Sequence, residues 1–402
     1  MKLNLHKPQT RYILILLLVV VFLPVPFRHK GLTKLSITGL DGAIIKTEAY
    51  ALTADHKLMV DKELAERILN ARIGWEKEAP LPKGVYYKDH VAVLMYHHLT
   101  ETPLMLYPGV LPAAQFDEQM QLLKQEGFHV ITMKQYREFM LDRAPVPDNA
   151  VLLTFDDGYE SFYKLAFPIL QKYGYTAVNF VIVSDVDHPN KHQVPKLTWE
   201  QMREMKRAGM DFYNHTYNLH YYAVVDAEGG TRPAASSLLY IHDENRNELN
   251  EEYYRRVTGD LAHAERRLKE ELGNTDSAIA FPYGSYNEKL LEICDSLGIH
   301  LKFNIGLGLG SRTTLNAPRI NEGNRTLTPE LSIQQLKQFE PPMILTVNGR
   351  KVLLAGTPPE LRNGKVMIPL DALCSELGVT MHYDRSSAVL KLTSTPQPPD
   401  AP

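Results

Sequence analysis

Cysteine is nearly absent: a chain of 402 residues carries two, Cys294 and Cys374. That excludes a disulfide framework and a zinc site built on thiolates. Both thiols fall within amphipathic helix-like segments and are expected in the core. Charge of either sign is not in excess. A formal net charge of −3 and a pI near 6.6 leave no electrostatic footprint for nucleic acid, so no such partner is expected. Residues 12–27 form a long apolar run, which is short for a spanning helix and carries Pro24 and Pro26. Lys2, Lys7 and Arg11 precede it and Arg28 and Lys30 follow, which reads as an export signal rather than a core helix. No small-x-small cleavage site and no lipid-accepting cysteine comes next. The expectation is an uncleaved signal anchor over 1–30 with the remainder outside the cell membrane; the alternative is a cleaved signal and a secreted chain.

What is present centres on VLLTFDDGY at 151–159, an apolar run that stops at two adjacent carboxylates, Asp156 and Asp157, and a glycine. A continuous apolar run suits a parallel strand covered on both faces, and Gly158 permits a sharp exit. Adjacent side chains on a strand point to opposite sides, so the two carboxylates are inequivalent: one can bind a metal while the other moves protons. A second cluster, NHTYNLH at 214–220, follows a helix-like stretch at 198–208, opened by Thr198 and Gln201 as a capping box, and a short strand at 210–213. His215 and His220 are five apart, about 140° out of register on a helix and on opposite faces of a strand. Only an irregular loop can converge them. One carboxylate oxygen and two imidazoles leave positions open on a divalent ion, the arrangement of a catalytic rather than a structural site, and the N,N,O set points to Zn²⁺.

The rest of the chain follows one rhythm. VAVLMY at 91–96 is another apolar run and ends in His97 and His98. Helical periodicity at 115–125 and 133–141 brackets a short strand at 129–132; a helix at 160–173, interrupted near Pro168, precedes a strand at 176–183. Strands alternating with helices predict an α/β barrel with reactive side chains at the carboxyl ends of its strands. Residues 221–250 break the rhythm with a long polar stretch, either a substrate wall or lid or a disordered insertion. A charged amphipathic helix at 253–272 and the strand-and-turn AIAFPYG at 278–284 come next. Pro341 and Pro342 mark a linker.

TFDDGY with the later HTYNLH resembles the polysaccharide deacetylases of the NodB-homology family, over about residues 91–321. The five-residue histidine spacing is similar to the subgroup that deacetylates poly-β-1,6-N-acetylglucosamine; most of the family spaces these histidines four apart. The resemblance implies a distorted (β/α) barrel of the NodB-homology type over 89–338. It also implies Asp157, His215 and His220 as metal ligands, Asp156 as the base, and a backbone amide at Tyr283 for the oxyanion. Two of the family's features are missing. Many relatives have arginine where this chain has Ala280, and Arg319, in APRIN, is a candidate substitute for orienting Asp156, with a surface salt bridge as the alternative. No late leucine-rich motif ending in histidine follows Gly284; in the subgroup that acid comes from an early Tyr-His motif, which His97 matches, although a fourth metal ligand is the other role open to it.

The organisation that follows is a signal anchor, a stem at 31–88, the barrel, a small α+β domain at 343–393 and a disordered tail at 394–402. The small domain resembles the copper amine oxidase N-terminal-like domain and suggests packing or cell-wall contact. The implied activity is metal-dependent removal of N-acetyl groups from an extracellular N-acetylglucosamine polymer. Peptidoglycan is the alternative substrate, and a catalytically silent carbohydrate-binding surface protein is the alternative class.

Overall fold

The computed structural model describes residues 30–394 except 52–57, 78–80, 103–108, 189–193, 313–315, 324–326, 340–342, 353–359, 363–364 and 385–388. The apolar stretch of the expected anchor and the tail beyond 394 lie outside the described residues. Among those described, no helix is long and apolar enough to cross a membrane.

Seven strands carry the main unit: β1 (Val91–Tyr96), β2 (Ala150–Asp156), β3 (Val178–Val181), β4 (Asp211–Asn214), β5 (Ala278–Ala280), β6 (Leu301–Ile305) and β7 (Ala317–Asn321). They pair in parallel in the order β3-β4-β5-β6-β7-β1-β2, and β2 pairs again with β3, so the sheet closes into a barrel. His129–Val130 adds a short strand beside β2. Helices α1 (Ala113–Gln125), α2 (Met133–Leu141), α3 (Phe167–Tyr173), α4 (Trp199–Arg207), α5 (Asn250–Leu272), α6 (Glu288–Ser296) and α7 (Pro329–Lys337) alternate with them.

Strand parity explains the apolar runs. Val91, Val93, Ala150 and Leu152 cluster in the interior with Phe180 and Phe303. Ala92, Leu94, Tyr96, Val151, Leu153 and Phe155 face outward, against Phe116 and Met120 of α1, Met202 and Met205 of α4, and Leu336 of α7. Both faces are therefore dry, and each large apolar side chain contributes roughly 1.5–3 kcal/mol by its burial. The same parity carries Asp156, two residues beyond Thr154 and four beyond Leu152, to the interior side at the carboxyl end of β2. Thr132 and Thr198 each close a capping box, with Gln135 and Gln201, at the starts of α2 and α4. The interruption read at Pro168 is a π-helical segment, Phe162–Ala166, which hands over to α3 with the proline in its first turn.

Residues 221–250 are ordered. Tyr222–Val224 pairs with Thr231–Pro233 and Tyr240–Ile241 with Arg246–Asn247. Ala234 and Ala235 are buried against Tyr253 and Val257 of α5, and Arg256 holds Glu248 through two hydrogen bonds of 2.8 and 2.7 Å. A polar composition concealed this because its structure rests on ion pairs and alanine packing instead of an apolar period.

The expected division at the two ends is corrected. Among the described residues, those of 30–71 and 360–394 form one compact unit, and those of 72–352 form the other. In the first, a single seven-stranded sheet runs in the order Glu360–Arg362, Lys365–Pro369, Leu58–Asp61, Ile44–Ala51, Lys30–Thr38, Val389–Ser394, Val379–Asp384. The stem at 31–88 and the domain at 343–393 are therefore not separate bodies. Met343–Val347 pairs with Ile73–Lys77 in the second unit, and Lys365–Pro369 pairs with Leu58–Asp61 in the first. A repeated pattern accounts for the exchange. LMVDKELAERILN (58–70) and VMIPLDALCSELG (366–378) each run strand, helix, left-handed cap, ending at Asn70 (φ 47°) and Gly378 (φ 64°). Their strands pair antiparallel about Val60 and Ile368, so the two copies lie side by side in the one sheet. Both cysteines are buried and unpaired, as expected.

Candidate active site

Asp156 ends β2 and is 2% exposed. Arg319, fully buried on β7, grips it with both arms: Nη1 donates to Oδ1 at 2.6 Å and Nη2 to Oδ2 at 2.7 Å. The guanidinium also donates from Nε to the Asn304 carbonyl at 3.2 Å and lies 5.4 Å from the Phe180 ring centroid. Burial opposes charge on Asp156, but Arg319, assisted by His215 and His97, holds the carboxyl below the usual carboxylate range. Arg319 is thus no surface ion pair. It comes from the strand two places along the sheet from that of Ala280, and parity turns it to the same interior face, since Ala317 of that strand also faces inward.

Asp157 follows in the left-handed region, φ 71°, which turns its side chain away from that of Asp156. Its Oδ1 lies 3.5 Å from Nε2 of His215 and 3.4 Å from Nε2 of His220, is buried, and has no hydrogen-bond partner. Nδ1 of His215 lies 2.8 Å from the Ala280 carbonyl oxygen, to which it donates in the tautomer that leaves Nε2 as the free nitrogen. The three candidate ligand atoms lie within 4.8 Å of one another. Two ligands about 2.1 Å from a tetrahedral ion sit about 3.4 Å apart, so this donor set fits one small divalent cation. Electrostatics agree. Burial opposes charge on Asp157, yet the imidazoles of His215, His97 and His220 hold its carboxyl far below the usual range. His220 is lowered to about 4 by burial and by His215. His215 is raised, because the Asp156 and Asp157 carboxylates outweigh its burial.

Of the paired histidines after β1, His97 turns toward the site, with Nε2 4.0 Å from Oδ2 of Asp156. His98 turns away to Ser161, 2.8 Å from Nδ1 to Oγ, and packs on Tyr159; burial and Lys196 lower its pKa. Tyr283, at the tip after β5, has φ 58° and rests its ring on that of His220, centroids 4.5 Å apart. Asp157, Thr216 (φ 73°) and Tyr283 all hold a conformation that costs a non-glycine residue free energy, and all three border the cation-sized cluster.

Lys196 was not singled out from the sequence. The residue is 7% exposed, and its ammonium donates to the Asp157 carbonyl at 2.8 Å, pairs with Asp185 at 3.2 Å and lies 4.1 Å from the Tyr159 ring centroid. It steadies the strained Asp157 peptide. A lysine in a connecting segment carries no local signal of such a role.

Residues 143–301 match the family Polysaccharide deacetylase. The poly-beta-1,6-N-acetyl-D-glucosamine N-deacetylase of Escherichia coli (strain K12) is 32% identical over 229 residues, 54% of this chain and 34% of that protein, so the chain spans about a third of that relative's length. The protein of the same name from Staphylococcus aureus (strain MSSA476) is 24% identical over 238 residues, 56% of this chain and 75% of that one. Among solved structures, a de-N-acetylase from Aggregatibacter actinomycetemcomitans matches with a TM-score of 0.57 at 24% identity, over 61% of this chain and 100% of the other, a likeness of fold. The closed parallel barrel, the paired aspartates at one strand tip and the matched residues agree: residues 143–301, which lie within the barrel, are similar to the polysaccharide deacetylases.

Proposed function

We propose that this domain is a divalent-metal-dependent hydrolase that removes N-acetyl groups from N-acetylglucosamine residues of an extracellular polysaccharide, poly-β-1,6-N-acetylglucosamine. The observation that carries the reading is the different fate of two adjacent carboxylates: Asp156 has both oxygens on Arg319, whereas Asp157 keeps a buried, unbonded oxygen facing two imidazoles. The names of the Escherichia coli and Staphylococcus aureus relatives support the choice of polymer. The basic-flanked apolar stretch at 12–27 supports placing the domain outside the membrane.

An amide is a poor electrophile, so hydrolysis needs a nucleophile, a place for the tetrahedral oxyanion and a proton for the departing amine. Asp157, His215 and His220 would hold the ion, and Zn²⁺ suits one oxygen and two nitrogens. When bound, the ion supplies Lewis acidity that polarises the acetyl carbonyl and makes water nucleophilic near neutral pH. Asp156 accepts the proton of the attacking water. Its pairing with Arg319 keeps it ionised throughout the neutral range and fixes its orientation. The Tyr283 amide, at a strained strand tip, donates to the oxyanion, a contribution of roughly 3 kcal/mol for such a donor in other enzymes. His97, across from Asp156, delivers a proton to the sugar amine.

The test is acetate release by the purified protein from poly-β-1,6-N-acetylglucosamine and from peptidoglycan, before and after chelation. The expected result is release from the first polymer, abolished by chelation and restored by a divalent ion. Release from peptidoglycan alone, or from neither, would overturn the proposal.

A further inference from the structure

The two histidines of the candidate metal site are joined by Thr216, Tyr217, Asn218 and Leu219, a link that neither helix nor strand geometry can shape. Each of its four peptide N–H groups is answered by a side-chain oxygen. Thr216 donates to Oδ1 of Asn214 at 2.7 Å and Leu219 to Oγ1 of Thr216 at 3.0 Å, both local. The middle two, Tyr217 and Asn218, donate to Oδ1 and Oδ2 of one residue, Asp260 of α5, each at 2.8 Å. One turn further along the helix, the His263 ring stacks on Tyr217, centroids 4.1 Å apart and planes within 8°. The helix also anchors the strand end before the link, through the 2.8 Å bond from Nδ2 of Asn214 to Glu265. The Thr216 and Tyr217 carbonyls accept from the Val183 and Ser184 N–H groups at 3.1 and 2.9 Å, and Asp260 supplies both non-local acceptors for the N–H groups of this segment, whose first residue, β-branched Thr216, sits at φ 73° and cannot hold that shape by its own preference.

We infer that Asp260 is a positioning residue for the metal site: its bidentate carboxylate fixes the link so that Nε2 of His220 meets Oδ1 of Asp157. The inference rests on the metal-site reading above. A carboxylate is the only short side chain that accepts from two adjacent peptide N–H groups with two equivalent oxygens; asparagine would set its own N–H against one of them.

The experiment is competition between chelators and the purified full chain for Zn²⁺ and Co²⁺, with the Co²⁺ absorption spectrum recorded alongside. Asp260→Asn and Asp260→Ala should weaken metal affinity about 10- to 100-fold, the usual cost of losing a residue that orients a ligand, and should alter the Co²⁺ spectrum. Leu268→Ala, a cavity in the buried face of the same helix, should lower the unfolding midpoint while affinity stays within about twofold of wild type. Asp260→Asn preserves side-chain volume and gives the answer if the alanine variant does not fold. Wild-type affinity in a folded Asp260→Asn chain, or an equal loss in Leu268→Ala, would overturn the inference. Failure of the wild type to bind either ion would instead overturn the metal-site reading itself.

Discussion

Arg319→Met removes one half of a buried charge pair and leaves a side chain of similar reach. In the native chain Asp156 is 2% exposed and Arg319 0%, and two hydrogen bonds of 2.6 and 2.7 Å join them. Breaking such a pair from one side costs about 3–5 kcal/mol, because the remaining charge is buried and has lost its principal counter-ion. The carboxyl escapes part of that cost by taking a proton, which reverses the direction of its pKa shift. The sign follows. With Arg319 present the folded pKa is depressed, so the pair's stabilisation is fully present above the unfolded value of about 3.9 and is lost as pH falls through the folded one. With methionine the folded pKa lies above 3.9, so the variant's deficit grows as pH rises past that point. A base protonated at neutral pH should lose about 10²- to 10⁴-fold in turnover, with part of it recovered at higher pH. The assay is a pH–rate profile on soluble oligomers together with thermal unfolding across the same range. Asp156→Asn/Arg319→Met should be more stable than Arg319→Met, since a neutral amide needs no counter-ion. The reasoning is refuted if Arg319→Met keeps the wild-type rate and acid limb, or if the double variant is no more stable than the single one.

His215→Ala should lose stoichiometric metal by elemental analysis, and wild-type affinity should fall about tenfold per pH unit below the raised His215 pKa, beginning above the ordinary 6.5, because binding displaces its proton. His97→Ala should keep its metal and lose about 10²- to 10⁴-fold in turnover, whereas His98→Ala, turned to Ser161, should stay within a few-fold; metal loss in the first or the larger defect in the second would reverse these roles. A chain ending at residue 339 removes one of the two strands paired with Leu58–Asp61 and the Met343–Val347 partner of Ile73–Lys77, and should be cleaved quickly by protease in the first 80 residues. One reduced to 81–339 retains every barrel strand and should still bind one divalent ion.

The strand tips were legible because an apolar run that stops at ionisable residues is a local signal: TFDD, VAVLMYHH and AIAFPYG all lie at the same barrel end. The histidine loop was legible for the opposite reason, since a five-residue spacing fits no regular element. The pairing of Arg319 with Asp156 was legible only as one of two alternatives. Arg319 and Asp156 are separated by 163 residues, and only the alternation of Ala317, Arg319 and Asn321, combined with knowledge of which face is interior, assigns the guanidinium. Lys196 and Asp260 carry no signal of their own; one sits in a connecting segment, the other is one acid among many on a charged helix. The two ends were read as a stem and a separate domain because their repeated strand and helix are some 300 residues apart, beyond the reach of any local pattern.

The central claim is that adjacent aspartates have divided labour, Asp157 holding the ion and Asp156 moving the proton. Metal content and acetate release measured in parallel for Asp156→Asn and Asp157→Asn test it most directly, and asparagine tolerates the left-handed backbone at 157. Asp156→Asn should retain one ion per chain and lose turnover, while Asp157→Asn should lose the ion and turnover together. An Asp157→Asn chain that keeps its metal, or an Asp156→Asn chain that loses it, would contradict the account.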